Sequence, residues 1–347
     1  MKSNRRSSQR YKMAKSLNWL GVFFLAVACT SGSPDTTPAA DAATVDPDSL
    51  NAYLAENPND VSALSLRARR YLDGANIPYA LADAQAILEL DSTNHDGWLM
   101  YGEANYLTNQ SRVARDAWQR CIAEHPAEID CRLKLAELYS MVMEYDKSLE
   151  LVNKVIEFDP NQATAYFIKG LNIRDSKGDT AMALSYIQKA IDLDNEYVAA
   201  IDMAGVMTAA KGDPLALSYY NRLLELQPDN ARTYYKMGMY HLGVGNYNGA
   251  IEAFTKCTQL DPTDAEAFYN LGYIHLELSM LSEARKHFTS SIQAREINYR
   301  AYYGRAFCWE RGGDAANAEK DYRQALTLNP QHGPSREGLN RVLKQKK

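Results

Sequence analysis

The feature that most constrains this chain is a 34-residue beat. Pro126, Pro160, Pro228, Pro262 and Pro330 each close a helix-like run, in contexts such as Glu-Phe-Asp-Pro, Gln-Leu-Asp-Pro and Leu-Asn-Pro. Pro126 and Pro160 lie 34 residues apart, as do Pro228 and Pro262, and Pro330 follows Pro262 at twice that distance. Proline lacks a backbone donor and disfavours helix at the residue before it, so each one marks the end of a unit. A chain with this period folds as a line of nearest-neighbour contacts, although its 347 residues would otherwise suggest two or three separate globules.

Side chains follow the same beat. Ala68, Gly102, Ala136, Gly170, Gly205, Gly238, Gly272 and Ala306 recur at one slot. Ala80, Ala114, Ser148, Ala183, Ala216, Ala250, Ala284 and Ala318 recur at a second. Large residues fill complementary slots: Trp98, Tyr166, Tyr234, Phe268 and Tyr302, then Trp118, Tyr220, Phe254, Phe288 and Tyr322. Small against large at fixed spacing predicts paired helices packed closely enough that a bigger side chain would force them apart. Turns such as Gly243-Val244-Gly245-Asn246 and Arg311-Gly312-Gly313-Asp314 reverse the chain inside each pair.

This pattern resembles the tetratricopeptide repeat over residues 61–332. Ala231–Asp264 is the most faithful copy, with Tyr234, Met237, Gly238, Tyr247, Ala250, Phe254 and Pro262 in place. The resemblance implies an all-α chain, a right-handed α-solenoid of about eight helical hairpins with capping helices at both ends. The copies run over 61–94, 95–128, 129–162, 163–197, 198–230, 231–264, 265–298 and 299–332, the fourth one residue long and the fifth one short. A capping helix is expected within 48–60 and another within 333–347, since terminal repeats need a polar outer face. The first copy departs most: Arg67 replaces a large apolar residue, Asn94 ends it without proline, and Pro78 opens its second helix. It is expected to be the most weakly packed. Ser291 in place of alanine is a mild change.

The first 28 residues are different in kind. Lys2, Arg5, Arg6, Arg10, Lys12 and Lys15 form a basic head, followed by an apolar run from Trp19 to Ala28. Ten apolar residues make a helix of about 15 Å, half a bilayer core, so the segment reads as a secretory signal and not as a membrane span. Met13 would serve equally well as the start. Leu25-Ala26-Val27-Ala28-Cys29 resembles the lipobox of bacterial lipoproteins, although the leucine usually sits one residue closer to the cysteine. That resemblance implies cleavage before Cys29, its lipidation, and a cell-envelope lipoprotein at the outer membrane, its facing side left open. Residues 29–47 read as the lipidated cysteine and a flexible tether. Loss of the signal leaves 32 basic and 43 acidic residues, a net charge of −11, which disfavours nucleic acid.

Nothing in the sequence assembles catalysis. There is no Gly-x-x-x-x-Gly-Lys loop, no Gly-x-Ser-x-Gly elbow, no His-Glu-x-x-His and no Cys-x-x-Cys, so no enzyme activity, metal or cofactor is expected. His241 and His275, 34 residues apart, are expected to be neighbours in packing slots. Cys121 and Cys131 are close enough in sequence to bridge a turn, but two small buried thiols is the preferred reading.

Function then falls to a binding surface. In arrays that this chain resembles, first helices line a concave groove. Helical spacing assigns to it Arg232, Tyr235, Met239, Tyr269, Tyr273, Tyr303, Phe307 and Glu310 in the last three copies, with Arg300 beside them. Earlier copies contribute Arg69 and Asp73, then Asp96, Leu99, Glu103 and Tyr106, then Asp130, Leu133 and Glu137, then Phe167, Leu171 and Arg174, and Asp202 and Val206, a set whose charges are mostly acidic. The family's clamp for a C-terminal carboxylate is missing, with Ser65, Leu99 and Leu133 where its first lysine would fall. The chain is therefore expected to be an envelope scaffold that holds a protein or peptide partner in its aromatic half. The alternative is a helper subunit of an envelope enzyme, secretion or outer-membrane assembly complex.

Overall fold

The computed structural model describes residues 47–345. The signal over 1–28, Cys29 and the tether as far as residue 46 lie outside the described residues. Within them are eighteen α-helices and no strand. The chain opens with α1 (Pro47–Glu56), α2 (Val61–Asp73), α3 (Ile77–Leu90), α4 (His95–Leu107), α5 (Ser111–Glu124) and α6 (Ile129–Met141). It continues through α7 (Tyr145–Phe158), α8 (Ala163–Lys177), α9 (Thr180–Leu193), α10 (Val198–Ala209), α11 (Leu215–Leu226) and α12 (Ala231–Gly243). The last six are α13 (Tyr247–Leu260), α14 (Ala265–Glu277), α15 (Leu281–Ala294), α16 (Tyr299–Arg311), α17 (Ala315–Leu328) and α18 (Gly333–Gln345). From α2 to α17 they pair as eight antiparallel hairpins, each packed on the next, which makes an α-solenoid. No described helix is long and apolar enough to cross a membrane.

Short polar side chains start these helices. Asp60, Asn94, Asp179, Asn230, Asp264, Asn298 and Asp314 each accept a hydrogen bond from a first-turn backbone N–H that would otherwise lack a partner. Asn94, at the end of the first copy, is thus the cap of α4. Pro78 lies in the first turn of α3, where its missing N–H costs nothing.

The small slots are where the helices of a hairpin touch. A Cβ on Gly102 would come within 2.2 Å of the Trp118 indole, and one on Gly238 or Gly272 within 2.7 Å of Phe254 or Phe288. Trp118, Tyr220, Phe254, Phe288 and Tyr322 are essentially fully buried. Their first-helix counterparts, among them Trp98, Tyr166 and Tyr302, are only half-buried, because they cover the junctions between hairpins. Ser148 and Ser291 fit alanine slots because each hydroxyl donates 2.7 Å to a carbonyl of the facing helix, Ala136 and Ala265 respectively.

Two expectations need correction. Arg67 does not loosen the first hairpin. Its guanidinium makes a two-pronged pair with Asp83 at 2.7 and 2.9 Å and donates to Asn51 of α1 at 2.9 Å. Cys121 and Cys131 are not separate thiols but a disulfide, joining the end of α5 to the start of α6 with their Cα atoms 6.3 Å apart. Cys257 and Cys308 are free and buried, and burial pushes their thiols up, to about 12 and about 11.

Candidate functional site

The aromatic set occupies two levels of the first helix in the last three hairpins. Tyr235, Tyr269 and Tyr303 stand at the fifth residue of α12, α14 and α16. Met239, Tyr273 and Phe307 stand four residues later, one turn along the same face. The fifth-residue tyrosines share one arrangement. Each leans on the buried aromatic of its own second helix, with ring centroids 5.6 Å apart for Tyr235 and Phe254, 5.7 Å for Tyr269 and Phe288, and 6.1 Å for Tyr303 and Tyr322. They are therefore half-buried rungs, part of the hairpin core along one edge. Burial raises the phenol pKa of Tyr235, Tyr269 and Tyr273, so these hydroxyls stay neutral.

Charge around the rungs is already compensated. Arg300 lies over the Tyr269 ring at 4.8 Å and pairs with Glu266 at 2.7 Å, while Arg295 approaches the same carboxylate from α15. Phe307 stacks on Tyr303 at 6.3 Å with the Arg311 guanidinium 6.0 Å from its ring. Arg232 and Met239 are exposed. Glu310 does not stand ready for a partner: it takes hydrogen bonds from Arg341 at 2.6 and 2.9 Å and from the Tyr322 hydroxyl at 2.5 Å. Burial would raise its pKa, yet those hydrogen bonds prevail and hold it below the usual carboxylate value.

The acidic half differs from its reading in sequence. Leu99, Leu133 and Phe167, at the same helical position as the tyrosines, are buried. Glu103 is held by Arg69 at 2.5 Å and by Lys134 at 3.3 Å, and Asp202 by Lys236 at 2.7 Å. These pairs tie neighbouring first helices together. Arg69–Glu103, Asp202–Lys236 and Glu266–Arg300 are each 34 residues apart. Opposite charges at the repeat distance are the sequence signature of these pairs. The histidines also rearrange: His275 stacks on His287 with centroids 4.9 Å apart, not on His241. The described residues contain no group of three metal-ligating side chains.

Family models of the tetratricopeptide repeat match residues 96–127, 163–197, 244–279 and 281–332. The hairpins in those stretches are tetratricopeptide repeats. A solved structure with similar repeats is the C-terminal part of a TPR repeat-containing protein from Cytophaga hutchinsonii. It is 17% identical, covers 70% of this chain and 99% of that one, and superposes with a TM-score of 0.60, a likeness of fold alone. The mitochondrial import receptor subunit TOM70 of Rattus norvegicus is 27% identical over 43% of this chain and 23% of its own length. The human protein O-mannosyl-transferase TMTC1 is 23% identical over 52% of this chain and 20% of its own. The chain thus spans about a fifth of the length of these curated relatives.

Proposed function

We propose that this chain is a non-catalytic protein-binding scaffold, tethered to the bacterial cell envelope through lipid on Cys29. Its partner, a peptide segment or protein surface with apolar side chains, lies across the first helices of the last three tetratricopeptide repeats. The observation that carries this reading is the set of three tyrosine rungs. Each presents one edge of a ring whose other side is fixed by a buried aromatic, and pre-fixed aromatic side chains bind at low entropic cost. The charges beside them are paired with one another, so recognition rests on apolar and aromatic contact. The Cys121–Cys131 disulfide supports an oxidising compartment, in keeping with export.

Two experiments test the two halves. Cys29→Ser is expected to move the protein from membranes to the soluble fraction, and a mature wild-type chain whose Cys29 carries no lipid by mass would overturn the anchor. For the binding face, the variant Met239→Ser, Tyr273→Ser, Phe307→Ser alters the less embedded level of the set. Purified from detergent-solubilised membranes, it should lose the proteins that accompany the wild-type chain while keeping its helical content. Recovery of the same proteins in the same amounts would remove the binding face from these repeats.

A further inference from the structure

Every hairpin turn contains one residue with positive φ: Ala75, Asn109, Met143, Gly178, Gly212, Gly245, Ser279 and Gly313. Four of these are glycines and one is asparagine, the types that tolerate a left-handed backbone. Ala75, Ser279 and Met143 adopt it despite their Cβ; Met143, at φ 62°, is the bulkiest of the three and its side chain is 71% exposed. The turn dictates that conformation through the same backbone hydrogen bonds as its neighbours, Met143 N–H to Ser140 and Glu144 N–H to Tyr139. The fold therefore gains nothing from a methionine here. Beside it, Met141 and Val142 are 59% and 53% exposed, and Leu107 stands at the matching turn of the preceding hairpin. Tyr106 donates its hydroxyl to the Met141 sulfur, which joins the two turns.

We propose that Met141, Val142 and Met143, with Leu107 beside them, form a second docking surface: an apolar knob that enters a recess with basic flanks on a protein partner. This surface is separate from the aromatic rungs and does not depend on them. Strain retained at an exposed, bulky residue marks a side chain kept for something outside the molecule. The joint is also stiff where it must be, since the disulfide clasps α5 to α6 at the opposite end of the same helices. Flexible, polarisable methionines suit an irregular recess. The charge next to the knob in sequence is compensated, with Glu144 paired to Lys147. The half of the chain around it is not: residues 47–200 carry 24 acidic and 14 basic side chains. That field repels an anionic lipid surface and favours a partner whose flanks are basic.

The test places a photoreactive benzophenone amino acid at position 143 of the full chain and, as control, at position 320. One protein, identified by mass, should crosslink from position 143 and not from 320. Purified wild-type chain should compete the adduct away, and Met143→Gly should need at least about tenfold more. Raising salt from about 50 to about 500 mM should weaken the wild-type competition. Met143→Gly should leave Tm unchanged or raise it by about 1–2 °C, because glycine relieves the left-handed strain. A fall in Tm would make Met143 a packing residue and end the proposal. Equal competition by Met143→Gly, the absence of any adduct, or an adduct to phospholipid would end it too. So would flotation of the wild-type chain, but not of Met143→Gly, with phosphatidylethanolamine–phosphatidylglycerol vesicles.

Discussion

Truncating Tyr269 separates a ring that merely faces solvent from one that also holds the array together. The ring has three kinds of contact to lose. Its tilted pair with Phe288, at 5.7 Å, is the sort of contact worth about 1 kcal/mol beyond burial. The Arg300 guanidinium at 4.8 Å adds about 0.5–1 kcal/mol at a partly exposed site. The third is the apolar area of a half-buried ring, a fraction of the about 3–5 kcal/mol lost when a fully buried phenylalanine becomes alanine. Together they place Tyr269→Ala at about 2–3 kcal/mol, and Tyr269→Phe within about 0.5 kcal/mol of wild type. Urea unfolding followed by circular dichroism measures the total. Hydrogen exchange over α14–α16 locates it, since repeat arrays open locally. An unchanged midpoint for Tyr269→Ala, with wild-type protection in α15, would refute the argument and return these rings to a purely surface role.

Gly102→Ala should destabilise by about 1–3 kcal/mol despite the better helix propensity of alanine, because its Cβ would meet the Trp118 indole at 2.2 Å. Gly243→Ala, with nothing within 4 Å of its Cβ, should be neutral or stabilising, and thermal melts of the two decide it. Asp83→Ala should cost about 1–3 kcal/mol by leaving Arg67 half-buried without its carboxylate, and Asp83→Ala with Arg67→Leu should recover most of that in the same melts. His287, which burial and the stacked His275 ring push down to about 4, is neutral in the fold where the unfolded chain is already charged. The unfolded state then binds more protons between pH 6.5 and about 4, so stability falls as pH drops through that window. Lys286 and Glu283 flank the ring on its own helix, and His287→Gln should flatten this part of a pH–stability curve.

The hairpins could be read from sequence because their packing is local and repeated. Gly102 facing Trp118, Gly238 facing Phe254 and Gly272 facing Phe288 are each sixteen residues apart, so one physical rule is printed several times over. Whatever a single copy does alone was harder to see. The disulfide depends on where two helix ends arrive in space, which spacing alone does not say. Glu310 looked like a rim charge because its partner, Arg341, belongs to the capping helix and has no counterpart in other copies. Leu99, Leu133 and Phe167 share a helical position with the tyrosine rungs, yet they are buried. The position lies at the border of core and surface.

The Arg67–Asp83 pair has a counterpart at the other end of the array. Arg305 and Asp321 occupy the same two places in the last hairpin, at 2.7 and 2.9 Å, while in the fourth Lys169 sits 4.7 Å above the Tyr186 ring. In each case the first helix and the second helix of one hairpin answer each other, and the answer differs from copy to copy. Genetic exchange between copies at a boundary between hairpins keeps every such couple intact. A crossover in the turn of the first or last hairpin would instead join Arg67 to the neighbour's Ala117, or Arg305 to the neighbour's His287, and leave the arginine without its carboxylate. The hairpin, not the single helix, is therefore the unit in which this array can be lengthened, shortened or shuffled.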